Sequence, residues 1–117
     1  MRHKRAHRKL GRVKRVREAL LKSLARSLIL QDGLTTTVAK AKELRPFVER
    51  LVTASKDGSI ASRRLVLSQI NGDSAVVSKL HLTAKRYASR AGGYTRIVRL
   101  GRVGKRAIES ARIEFVK

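Results

Sequence analysis

What most constrains this chain is a change of period part-way along it. Up to about residue 80, apolar residues recur at three- and four-residue steps; in the last third they alternate with polar ones. The first pattern predicts helices and the second predicts strands. Val13, Val16, Leu20, Leu24 and Leu28 mark one face of a helix running to about Gln31, with Lys14, Arg15, Lys22 and Arg26 on the other side. Asp32-Gly33 stops it, since glycine readily takes the left-handed conformation that ends helices. Thr35, Thr36 and Thr37 then suggest a short strand, with a threonine free to cap a second helix.

In that second helix Ala41, Leu44, Val48, Leu51 and Val52 form another apolar stripe. Pro46 lies inside it, lacks an N–H and crowds the carbonyl of Lys42, so a bend is expected there. Ser59 caps a third helix from Ile60 to about Ile70, and Asp73 a short fourth one with Val76, Val77 and Leu80 inward. "YTRIVRL" and "SARIEFVK" read as strands, and in the second Ala111, Ile113 and Phe115 alternate with Arg112 and Glu114. The basic, glycine-containing stretch from Gly101 to Glu109 between them reads as a hairpin loop. The order is helix, strand, three helices, two strands: an α+β fold with helices packed on a small three-stranded mixed sheet. At 117 residues this is a single domain, spanning 11–117, preceded by a basic arm at 1–10 that shows no apolar periodicity.

The charge is lopsided. The chain has 29 Lys and Arg against 8 Asp and Glu, a net charge of +21, and nine of its first seventeen residues are cations. A compact domain repels itself at that charge, so a polyanion partner is implied, nucleic acid before anionic lipid. No apolar run approaches the roughly 20 residues that span a bilayer. No apolar h-region follows the basic start, as a secretory signal would require. A mitochondrial presequence would share the arginines, but here serine is absent from the first 22 residues.

Catalysis finds no foothold. The chain has no cysteine, its eight acids stand singly, and neither a P-loop nor a nucleophile elbow occurs. His3 and His7 have the spacing of two ligands on one helical face, but their cationic surroundings oppose a divalent ion. His81 reads as structural. No cofactor and no metal are expected.

Binding is better supported. In the arm and the start of the first helix, Arg2, His3, Lys4, Arg5, Arg8, Lys9, Arg12, Lys14 and Arg15 form a run suited to threading into RNA. Cations continue through the folded part at Lys40, Lys42, Arg63, Arg64, Arg90 and Arg96. Arginine's planar fork suits phosphate oxygens and stacks on bases. Within "SRAGGYTR", Gly92 and Gly93 permit close backbone approach to an anion, flanked by Arg90 and Arg96. Tyr94 is either a base-stacking ring or, as the favoured reading, a core residue at the start of a strand.

"MRHK", "KLGR", "TTTVAKAKELRPFVERLVTASK", "SRRL" and "RAGGYTRIVRLG" stand in one order along the chain. That series resembles the bacterial-type large-subunit ribosomal protein seventeen family over nearly the whole length. The resemblance implies an α+β domain with a basic extension and no enzymatic activity. It implies binding to large-subunit ribosomal RNA near the opening of the peptide exit tunnel, beside other large-subunit proteins, in the cytoplasm or an organelle. Its motifs fall on Arg2, His3, Lys4, Lys40, Lys42, Arg63, Arg64, Gly92, Gly93, Tyr94, Thr95 and Arg96. The chain departs from the family pattern at 13–17 and in the last hairpin, where it is more basic. Two rival readings are a DNA-coating polycation and a membrane-surface helix at 13–31. No helix-turn-helix spacing favours the first, and the apolar stripes on later helices argue against the second.

Overall fold

The computed structural model describes residues 13–104 and 106–117. The arm residues Arg2, His3, Lys4, Arg5, His7, Arg8, Lys9 and Arg12, and Lys105, lie outside the described residues. Elements follow in the expected order: α1 (Lys14–Gln31), β1 (Gly33–Thr37), α2 (Val38–Lys56), α3 (Ile60–Gln69), α4 (Ser74–Lys85), β2 (Thr95–Val103) and β3 (Ile108–Phe115). All three proposed caps form. Thr37 accepts from Lys40 N at 3.3 Å, Ser59 from Ser62 N at 3.1 Å, and Asp73 from Ala75 N at 3.1 Å and Val76 N at 3.4 Å. Each satisfies an amide that the first helical turn would leave unpaired.

α2 is the centre of the molecule. It touches α1, α3, α4 and all three strands, and its stripe of Ala41, Leu44, Val48, Leu51 and Val52 is buried. Fully burying a side chain the size of Val or Leu contributes about 1.5–3 kcal/mol, so this stripe is the main adhesive between the layers. α2 runs through Pro46 without interruption; the proline ring lies on its exposed side.

The sheet is antiparallel throughout, not mixed. Its order is β1-β3-β2, and both neighbours of β3 run against it. β1 and β2 are parallel to each other, but β3 separates them, so no parallel ladder forms. In the central strand β3, Ala111, Ile113 and Phe115 are buried, with Arg112 exposed on the other face. The hairpin ladder also reaches further than expected. Much of Gly101–Glu109 pairs, through Gly101↔Ser110, Arg102↔Glu109 and Val103↔Ile108, leaving only a tight turn at 104–107. A bulge between Arg99 and Gly101 lets the ladder resume, with Gly101 at φ +85°.

Two further expectations are corrected at α1. The left-handed residue that ends it is Asp32, at φ 60°, whereas Gly33 already pairs in β1 opposite Glu114. And the apolar stripe packs only in its second half. Ala25, Leu28 and Ile29 are buried, with Leu24 against them, while Val13 is 69% and Val16 44% exposed. An 18-residue helix is roughly 27 Å long, longer than the surface α2, α4 and β1 offer it. Its first turns instead overhang an open cleft of about 410 Å³, with Glu43, Pro46, Phe47 and Arg50 of α2 opposite.

Candidate nucleic-acid interface

The segment Arg86–Arg96 is held at both ends by α2 and left open in the middle. At its start Lys56 Nζ donates to the Arg90 carbonyl and lies 4.6 Å above the Tyr94 ring. At its end Glu49 Oε2 accepts from Thr95 N at 3.2 Å and from Thr95 Oγ1 at 2.9 Å. Arg45, paired to Glu49 at 3.6 Å, donates to the Thr95 carbonyl at 3.3 Å. Between these clamps Ala91, Gly92 and Gly93 are exposed. Gly93 sits at φ +65°, a conformation that costs other residues energy, and a side-chain carbon at either glycine would meet nothing within 4 Å. The loop thus displays free backbone, with exposed Arg90 and Arg96 beside it.

Tyr94 is a core residue. It is 1% exposed, its ring lies 5.2 Å from that of Tyr87 at a tilt of 42°, and its hydroxyl bonds Thr53 Oγ1 at 3.1 Å and the Arg90 carbonyl at 3.3 Å. Hydrogen bonding to Lys56 and then to Thr53 holds its phenol below the usual tyrosine range. Burial pushes the Tyr87 phenol up, and that hydroxyl donates to the Val116 carbonyl. Neither the Tyr94 ring nor the buried Thr95 side chain is presented to a base.

The remaining cations fall into separate groups. Lys42 meets Arg99 across a groove between the start of α2 and the hairpin, and Lys40 lies one turn from Thr37. Arg63 and Arg64 are exposed on α3 and border a groove towards α4. Arg96 stands on the outer face of the sheet, 63% exposed, where Glu114 Oε1 lies 3.3 Å away and Arg112 shares that carboxylate at 4.0 Å. Lys14 and Arg15 are exposed at the overhanging end of α1. Lys40, Lys42, Arg63, Arg64, Arg90, Arg99 and Arg102 have no carboxylate within 4 Å among the described residues. None of the four helices carries an acid in its first turn, where an acid would stabilise the helix dipole. The N-termini of α1, α2 and α3 are left electropositive, whereas that of α4 is capped by the Asp73 carboxylate.

Sequence reasoning missed Arg50 and Lys56. Arg50 borders three clefts around α2; its signal was its place opposite the apolar stripe, near Pro46 and Thr53 on the solvent side. Lys56 gave no signal, because its partner lies 34 residues away. His81 is structural as expected: Nδ1 lies 3.2 Å from the Ser55 carbonyl and the ring packs against Gly58. Among the described residues no group of acids and histidines could hold a metal, and no helix is long and apolar enough to cross a membrane.

The chain as a whole is similar to known proteins. The family model described as ribosomal protein L17 matches residues 20–116. Three bacterial relatives are each named large ribosomal subunit protein bL17. That of Sphingopyxis alaskensis is 47% identical over 99% of this chain and 84% of its own length. That of Rhodopseudomonas palustris (strain BisB18) is also 47% identical, over 99% of this chain and 86% of its own. That of Gemmatimonas aurantiaca is 44% identical over 99% of this chain and 98% of its own.

Proposed function

The chain belongs to the ribosomal protein L17 family, and on that basis we propose how it acts: it binds folded large-subunit ribosomal RNA and holds RNA segments in register near the peptide exit tunnel opening. As a family member it is a structural constituent of the large ribosomal subunit, in the cytoplasm, and not an enzyme. Residues 1–10 act as a basic arm and 11–117 as the RNA-binding domain, with neighbouring large-subunit proteins as further partners.

One observation carries this reading. The cations without a carboxylate partner are spread over α2, α3, the 86–96 loop and the hairpin rather than gathered in one pocket. A single narrow ligand has no use for that distribution, whereas RNA segments packed around a rigid domain do. Positive charge between them screens phosphate repulsion, and phosphate contacts fix position without reading sequence. The Arg90 side chain, the Gly92–Gly93 backbone and Arg96 make one contact, and Lys42 with Arg99 another. The Arg96–Glu114 pair is exposed and worth little by itself, so a phosphate can take the guanidinium over. Tyr94 and Thr95 serve by fixing the loop.

The test is sedimentation of lysate through a sucrose gradient in about 0.5 M salt, where the Debye length is only a few ångströms. Cells make either the full chain or one lacking residues 1–10. The full chain should stay with the large subunit, and the shortened one should give fewer mature subunits. Release of the full chain to the top of the gradient would overturn the proposal.

A further inference from the structure

An acid borders one of the RNA-facing clefts. Between α2 and the 91–94 loop lies an open cleft of about 500 Å³, bordered by Pro46, Glu49, Arg50, Thr53, Ala91 and Gly92. Every contact to Glu49 falls on one oxygen: Thr95 N, Thr95 Oγ1 and Arg45 Nε all address Oε2. Oε1 accepts from none of the described residues. The Glu49 side chain is 22% exposed and borders this cleft. Fixed by three contacts on its other oxygen, this carboxylate cannot swing away from whatever enters.

Its chemistry excludes the partner that the surrounding cations attract. A phosphate brought against Oε1 is repelled, whereas an N–H donor is accepted. The part of an RNA that offers N–H donors is the edge of an unpaired base, and carboxylates read the exocyclic amino group of cytosine in this way. Arg50, on the rim, is placed for the adjoining phosphate, and the Pro46 ring and Ala91 methyl supply apolar surface for a base face. Resting on the RNA-binding reading above, we infer that this cleft holds one unpaired base that carries an exocyclic amino group, which donates to Glu49 Oε1. Uracil offers on that edge only its ring N3–H, flanked by two carbonyls that a carboxylate repels, so it is disfavoured there.

The discriminating pair is cytosine and uracil, alike in size. Fluorescence anisotropy of the full chain with C8 and U8 RNA octamers at fixed salt should show C8 binding about five- to tenfold tighter, as expected for one partly exposed hydrogen bond to a charged acceptor. In Glu49→Gln the amide oxygen still accepts from Thr95, but the amide can donate to the uracil carbonyl, so the ratio should fall to within twofold of one. Arg50→Ala should weaken both octamers together and keep the ratio. Equal affinities in the unmodified chain, as a ribose hydroxyl donor would give, overturn the inference; so does a cytosine preference that survives in Glu49→Gln. Should that variant melt early, an octamer of N4,N4-dimethylcytidine, which lacks the N–H donors, repeats the test on the unaltered protein, and binding as tight as C8 overturns it. If neither octamer binds in a salt-dependent way, the broader RNA-binding proposal fails and takes this inference with it.

Discussion

Removing only the Tyr94 hydroxyl separates a core residue from a base-stacking one. In Tyr94→Phe the ring stays, and the hydroxyl's hydrogen bonds go, to Thr53 Oγ1 at 3.1 Å, to the Arg90 carbonyl at 3.3 Å and to Lys56, which keeps the Arg90 carbonyl as its acceptor. Thr53 is exposed and finds water, and the Arg90 carbonyl keeps Lys56 as donor. Little is left unsatisfied, so the loss should lie near 1 kcal/mol, within the usual range of about 0.5–1.5 for a net hydrogen bond. Tyr94→Ala is a different perturbation. It empties a site that is 1% exposed, unseats Tyr87 at 5.2 Å and removes the surface beneath Lys56 at 4.6 Å. Truncating a buried aromatic costs about 3–5 kcal/mol, a large share of the roughly 5–15 kcal/mol that holds a domain together. Thermal and urea unfolding followed by circular dichroism measures both. Near 4 °C per kcal/mol for a domain of this size, Tyr94→Phe should melt about 4 °C lower and Tyr94→Ala more than 10 °C lower. RNA affinity of Tyr94→Phe, measured well below its melting point, should stay within about twofold of the unmodified chain. The reasoning is refuted if Tyr94→Ala melts like the unmodified chain yet loses RNA affinity tenfold, because the ring would then be stacking on a base outside the core.

Two further outcomes rest on particular residues. Asp73 is held below its ordinary 3.8 first by the hydrogen bond from Arg26, 2.8 Å away, and then by the Val76 amide it caps. A lowered folded pKa means that this stabilisation is present above the unfolded value, near 3.9, and drains away as pH falls through the folded one. The stability gap between the unmodified chain and Asp73→Asn, which keeps the cap but not the charge, should therefore narrow between pH 5 and 3. A constant gap in urea melts would contradict it. At Asp32, φ 60° makes side-chain identity matter: Asp32→Ala should be less stable than Asp32→Asn by about 1 kcal/mol, since Asn tolerates the left-handed region and Ala does not. Both lose the exposed pairs to Lys79 at 3.4 Å and Arg86 at 4.0 Å, so those cancel in the comparison, and identical melting curves would refute the argument.

Local features could be read from the amino-acid order alone. Helix caps at Thr37, Ser59 and Asp73 were legible because a side-chain oxygen reaches an amide two or three residues on, whatever the rest of the chain does. The α2 stripe and the alternation of Ala111, Ile113 and Phe115 were legible because burial on one face imposes a fixed period. The expectation of a polyanion partner came from net charge, which depends on no conformation.

Packing in three dimensions set the rest. The sequence could not say that β3 would lie between β1 and β2, since either hairpin partner could have paired with β1. Nor could it say that α1 would outrun its support and leave Val13 and Val16 uncovered, because an apolar face is written the same way whether or not a neighbour reaches it. It offered Gly33 as the helix stop, yet the strand register claimed Gly33 and pushed the left-handed turn onto Asp32. Above all, the presented loop depends on Lys56 gripping Arg90 and Glu49 gripping Thr95, contacts across 34 and 46 residues. Such pairs are invisible to period and propensity, which act over a few residues. They exist only once the packing of α2 against the sheet has brought the two segments together.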